Sequence, residues 1–235
     1  GVKHEVWAVS DPMTVARISE IVNAMPALYI ADGHHRSAAG SRICAARKAA
    51  NPAHDGSEPY NGFLAVSFPD DEMVILDYNR VVRDLNGSTL DEFLAKLGDT
   101  FDVVAADKPV RPSKSHTYGM YMGGNWYALT PKSPVTETDP VESLDVRVLD
   151  RTVLSPLLGI GDPRTDARID FVGGSRGVEG VAKRVDTGEM AVGFTLFPTT
   201  LADLMAVAEA GQIMPPKSTW FEPKLADGLL SLPLD

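Results

Sequence analysis

Two histidines and an arginine stand side by side in "LYIADGHHRSAAGSR", residues 28–42, just after an apolar run and a glycine. Gly33 can take the tight turn that lets backbone approach a ligand. The small residues that follow are good helix formers, so His34, His35 and Arg36 would open a helix whose first amides have no intrahelical partner. Such a terminus attracts anions, and its dipole is worth ~0.3–1 kcal/mol to a negative charge. Arg36 adds a planar fork matched to phosphate oxygens, and each charge-assisted bond contributes ~1.5–3 kcal/mol. Either histidine could donate to a phosphate or pass a proton. Asp32 could hold a histidine tautomer, act as a base or meet a divalent cation. The plainer reading is a solvated helix start. Against it, three cationic groups at a positive helix end need a compensating anion or neutral imidazoles.

Three further stretches carry similar chemistry. "FVGGSRG", residues 171–177, sets Ser175 and Arg176 after two glycines, either as a second phosphate cradle or as a glycine turn capped by Ser175. Its spacing fits neither a Walker loop nor GxGxxG. "MPPKST", residues 214–219, places Lys217, Ser218 and Thr219 after a stiff Pro-Pro pair. That makes them phosphate donors held at low entropy cost, or simply a docked loop. "LDYNRVV" puts Asp77, Asn79 and Arg80 at a strand end. Arg80 is counted among the anion binders, although such positions are usually solvated edges. Trp126, Trp220 and Phe221 read as packing, and Cys44 as a small core residue rather than a nucleophile. No protein metal site is expected: there is no cysteine pair, and adjacent histidines on a helix point apart.

The elements that must position these residues follow from periodicity. Strands are expected over residues 4–9, over "ALYIA" (27–31), and over "FLAVSF" and "MVILDY". Asp11-Pro12 predicts a helix to about Met25, and a second helix runs from His35 to about Ala50 with Ala38, Ala39, Ile43 and Ala46 on its apolar side. Residues 51–62 read as a loop. "LDEFLAKLG" reads as a helix, "FDVVAA" as a strand, and "HTYGMYM" with "NWYALT" as a hairpin about Gly123-Gly124. Beyond a proline-rich linker at 131–142 come helical spacing over "SLDVRVLDRTVLSPLLG", strand "RIDFV", helix "SRGVEGVAKRVDTG", strand "EMAVGFTLF", helix "TTLADLMAVAEAG" and an irregular end. The fold class is therefore α/β in the mixed α+β sense, a mixed sheet with flanking helices. Two lobes are expected, 1–130 with the "DGHHR" motif and 142–235 with the "GGSRG" and "MPPKST" loops, unless they form one continuous domain.

Composition bounds the function. The chain has 235 residues, 44% hydrophobic and 23% charged, enough to bury a core without staples. Its net charge of −10, from 22 basic and 32 acidic residues, repels a phosphate backbone, so nucleic-acid binding is not expected. No apolar run approaches the ~20 residues of a membrane span, and no signal peptide is visible. One cysteine excludes an internal disulfide and fits a cytoplasmic location. The expected partner is a small phosphate-containing ligand, with no nucleic acid and no membrane; homo-oligomers stay open.

"YIADGHHRSAA", "LDYNRVV", "LLGIGDPRTDARIDFVGG" and "MPPKSTWFEPKLADGL" together resemble a widespread bacterial and archaeal family of proteins of unknown function. Its members have a longer N-terminal part, which implies that this chain is the C-terminal part of such a protein. More distantly, "DGHHR" is similar to the phosphate-binding signature of the ParB and sulfiredoxin superfamily, which includes an ADP-dependent free serine kinase. That resemblance implies a ParB/sulfiredoxin-like element near the N-terminus. It also implies nucleotide-phosphate binding by Asp32, Gly33, His34, His35 and Arg36, with ATP or ADP and Mg²⁺ as cofactors. The function it implies is phosphoryl transfer to a small hydroxylated metabolite such as serine. A nucleotide-binding switch and a phosphatase remain the alternatives.

Overall fold

The computed structural model describes residues 3–226 and 228–234. The chain divides into two compact units, Gly1–Pro69 with Pro223–Asp235, and Asp70–Glu222. The division expected at residues 131–142 is not where the contacts divide, since that segment lies inside the second unit, between a strand and a helix of the same core.

The first unit is helical. α1 (Pro12–Ala24) starts at Asp11, whose carboxylate accepts from the Thr14 amide at 2.8 Å, with proline at the first helical position. α2 (His34–Ala50) starts at Gly33 and ends with Arg47 and Lys48 in its last turn, where cations suit the dipole. The strands expected at 4–9, 27–31 and 63–68 are not formed. Trp7, Leu28, Ile30 and Phe63 are all more than half exposed. The physical reason is that alternating or apolar runs confer only a capacity for pairing. A strand exists when a second backbone completes its ladder, and among the described residues none does so here. Neither helix buries a residue, so Ile43 is exposed rather than core-facing, and Cys44 is half-buried with its Sγ 3.6 Å from Asn61 Oδ1.

The second unit is a six-stranded sheet in the order β3-β5-β4-β7-β2-β6, from β2 (Tyr78–Val82), β3 (Phe101–Ala106), β4 (Tyr118–Met122), β5 (Asn125–Pro131), β6 (Ile169–Gly173) and β7 (Val192–Leu196). β1 (Val74–Leu76) and β8 (Trp220–Glu222) form a separate pair. Every pairing is antiparallel, so the sheet is not mixed as expected. The fold is α+β, with helices flanking an antiparallel sheet. The expected hairpin forms, and Gly123 and Gly124 supply the left-handed turn that joins β4 to β5.

Strand alternation sorts side chains to two cores. Val82, Met120 and Phe194 pack with Phe93 and Leu97 of α3 (Leu90–Gly98), with Leu149 of α4 (Asp145–Leu149) and the π-helical turn Asp150–Leu154 beyond it, and with Val207 of α6 (Leu201–Glu209). Val81, Tyr121 and Val172 pack with Val178 and Val181 of α5 (Gly177–Asp186). Capping boxes at Thr89 and Thr200 fix the starts of α3 and α6.

Candidate functional site

Gly33 adopts φ 84° and ψ 22°, a left-handed conformation that a glycine enters without steric cost. It opens α2 with no side-chain cap hydrogen bond, at a helix end whose first amides have no intrahelical partner. The first intrahelical bond is from Ser37 N to Gly33 O, at 3.0 Å. Arg36 folds back over the turn. A Cβ built on Gly33 would lie 3.7 Å from its Nε and 3.8 Å from a terminal nitrogen. The His34 and His35 rings sit 4.1 Å apart, tilted by 45°. All three side chains are exposed.

Asp32 is held on both oxygens. Oδ1 accepts from the Gly33 amide at 2.7 Å, and Oδ2 accepts from Lys224 Nζ at 2.7 Å. Lys224, then the Gly33 amide and the Arg36 charge, keep this carboxyl below the usual carboxylate range against a modest desolvation cost. A carboxylate so stabilised is a weak proton acceptor. Its geometry suits holding the turn more than acting as the base or metal ligand considered from sequence. Among the described residues no group of three His, Cys, Asp or Glu is arranged to hold a metal ion.

The remaining candidates lie in the second unit, whereas Asp32 to Arg36 lie in the first. Arg80 is not on a solvated edge. It sits in β2 between β6 and β7 and is 4% exposed, and Asp77 and Asn79 are buried with it. Asn79 donates to Asp77 Oδ2 at 2.5 Å and accepts from Leu196 N at 3.0 Å, which ties the β2 turn to β7. The Arg80 guanidinium donates to the Tyr78 carbonyl and lies 5.4 Å from the centre of the Phe171 ring. Burial draws its pKa down to about 10, although the Asp150 charge opposes this. Lys217, at φ 57°, sets Nζ 5.6 Å from the Tyr78 ring centre. Tyr78 in turn meets Phe171 and Trp220 edge-on. The fold thus gathers Arg80 and Lys217 about one aromatic group, a proximity that no sequence spacing signals.

Two other readings change. Gly173 and Gly174 are required by packing: a Cβ on Gly173 would lie 2.3 Å from the Trp220 ring, and one on Gly174 would lie 2.6 Å from Leu76 Cβ. They therefore give no support to a phosphate cradle, and Ser175 makes no cap bond, because a 3₁₀ turn over Gly174–Arg176 intervenes before α5. Ser175 and Arg176 remain exposed beside it. Ser218 is buried and its hydroxyl already donates to the Pro215 carbonyl at 2.7 Å, so its proton is committed to the loop; Thr219 is half-buried.

Residues 1–147 match the model of a family described as a protein of unknown function (DUF1015). The chain belongs to this family. No curated protein matches it. Among solved structures, a free serine kinase in complex with AMP is 14% identical with a TM-score of 0.41, over 91% of this chain and 81% of that one. A mutant of a free serine kinase in complex with ADP is 14% identical with a TM-score of 0.39, over the same shares of 91% and 81%. A conserved hypothetical protein from Pyrococcus furiosus is 15% identical with a TM-score of 0.37, over 82% and 68%. Likenesses this low assign no role to any residue of this DUF1015 chain. No helix among its described residues is long and apolar enough to cross a membrane.

Proposed function

We propose that this DUF1015 chain is part of a nucleotide-dependent phosphotransferase that acts on a small hydroxylated metabolite. The observation that carries the reading is the start of α2. There a left-handed Gly33 opens the helix with no side-chain cap hydrogen bond, and the Arg36 guanidinium packs over the same turn as two exposed imidazoles. Helix-end amides, a planar cation and the positive helix end all favour one chemical group, a phosphate. Asp32, tied to Lys224 and to the Gly33 amide, keeps the turn in place.

In this reading the amides and Arg36 hold the phosphate, and His34 or His35 donates to it or moves a proton. Mg²⁺, when bound, neutralises charge between phosphate groups and is carried by the nucleotide rather than by a protein cage. Arg176, Lys217 and Thr219, all in the second unit, are assigned as phosphate contacts of that unit; buried Arg80, whose guanidinium donates to the Tyr78 carbonyl, is not. Serine or a relative as acceptor follows from the "DGHHR" resemblance and not from the geometry.

Calorimetric titration with Mg-ATP and Mg-ADP, beside Arg36→Ala, tests the site. Saturable binding that Arg36→Ala weakens about tenfold or more supports it, since one charge-assisted contact contributes ~1.5–3 kcal/mol. Binding that is indifferent to Arg36 would remove phosphate from this turn. Absence of any phosphorylated product from a pool of hydroxylated metabolites with either nucleotide would remove the transferase reading.

A further inference from the structure

The second unit contains a cavity of about 100 Å³ at the end of β7. His116, Asp145, Thr199 and Asp203 line it, with Phe197 and Pro198 as an apolar wall. His116 precedes β4 with φ 63°, a left-handed conformation that costs a residue with a Cβ ~1–2 kcal/mol. Two contacts hold it there. Its backbone N–H donates to both carboxylate oxygens of Asp145, at 2.9 and 3.0 Å, and its Nε2 lies 2.8 Å from the Ser143 carbonyl oxygen. A carbonyl can only accept, so Nε2 carries a proton, and in the neutral ring Nδ1 is the nitrogen with the lone pair.

Thr199 and Asp203 also present acceptors to the cavity. Thr199 spends its proton on the Ser218 carbonyl at 3.0 Å. Asp203 takes the Thr200 amide and hydroxyl on Oδ2, which leaves Oδ1. Among the described residues the basic group nearest Asp145 is the His116 ring at 3.7 Å, an ion pair only when that ring is protonated, and Asp203 has no ion-pair partner. The cavity therefore combines two carboxylates, a ring lone pair and hydroxyl lone pairs against an apolar wall. An anion would be repelled. A directly ligated metal lacks its set of three donors among the described residues. The complement is compact, cationic and rich in N–H donors, with carbon behind it: a protonated primary amine.

We propose that this cavity binds the primary ammonium group of a small amine, with Asp145 and Asp203 neutralising its charge and His116 Nδ1 accepting one of its N–H bonds. The proposal stands apart from the phosphate reading of α2. The test is titration of the full chain with ethylammonium chloride, followed by the backbone ¹⁵N shifts of the cavity-lining Leu144 and Thr199, with KCl at equal ionic strength as reference. Saturable shifts with ethylammonium alone are expected. They should weaken tenfold or more in Asp145→Asn and in His116→Asn, where asparagine tolerates the left-handed backbone, and stay unchanged in Arg36→Ala. Should Asp145→Asn not fold, His116→Asn decides. No saturable shift, an equal response to KCl, or undiminished binding in His116→Asn would overturn the site.

Discussion

The two units of this chain use the same residue types to opposite ends. In Gly1–Pro69 with Pro223–Asp235, apolar residues recur at helix and strand spacing, yet α1 and α2 bury none of theirs, and Tyr60 is the one described hydrophobic residue that is buried. In Asp70–Glu222, similar runs close an antiparallel sheet between two cores, and even Asn79, Arg80 and Thr195 are buried. The difference teaches that periodicity supplies the apolar face but not its partner. Where six strands find one another, burial follows; where the strand-like runs meet no ladder, the same pattern stays in solvent. The candidate sites follow suit. The phosphate turn stands on exposed side chains and open amides, whereas the polar groups of the second unit are held by buried contacts.

The sharpest way to break this comparison is to cut into each unit. Phe194→Ala, at a fully buried position of β7, should cost ~3–5 kcal/mol in urea unfolding. Ile21→Ala, at a position 45% exposed on α1, should stay within ~0.5 kcal/mol. Equal losses would mean that α1 is as buried as the sheet and would end the contrast.

The next largest effect is on binding. Arg36→Ala should lower phosphate-ligand affinity by ~1.5–3 kcal/mol while leaving the urea midpoint nearly unchanged, because the side chain is exposed. A large shift in midpoint with affinity retained would make Arg36 a structural residue.

Gly173→Ala should destabilise by ~1–3 kcal/mol, since its Cβ would fall 2.3 Å from the rigid Trp220 ring. A neutral substitution there would restore the glycine pair as a ligand-binding device rather than a packing one.

The smallest effect depends on pH. Burial pushes the Asp145 carboxyl up to about 6, against the pull of the His116 amide and ring, and the Asp203 charge adds to the rise. The folded state therefore keeps a proton that the unfolded chain releases near 4. The stability this gives is present below pH 4 and lost as pH rises through 6. In the absence of amines, Asp145→Asn should match wild type near pH 4 and exceed it as pH rises above 6. A difference that runs the other way would show that the ionised carboxylate is stabilised in the fold.

Much of the second unit was legible in the sequence because its elements are local. Thr89 and Thr200 announce their helices through capping boxes, Gly123-Gly124 announces a hairpin, and β7 reads as a buried apolar run. The phosphate turn was legible for the same reason, since Gly33, the helix start and Arg36 lie within four residues of one another. Arg80 was misread because exposure is not a local property: the strand carrying it looks like an edge until β6 and β7 pair with either side. The glycines before Arg176 could be read as a phosphate cradle because their packing neighbours Trp220, Leu76 and Asp77 lie far along the chain.

The sequence by itself determined the helices, the β3-to-β7 strands, the acidic balance, and a glycine-opened helix start loaded with cationic groups. Tertiary structure alone decided that the sheet is wholly antiparallel, that the three runs of the first unit pair with nothing described, and that His116 meets Asp145 and Asp203 around one cavity. The reason is range. Turn chemistry, capping and periodicity act over a few residues, while burial, register and the meeting of charges depend on contacts between segments that the chain holds far apart in sequence.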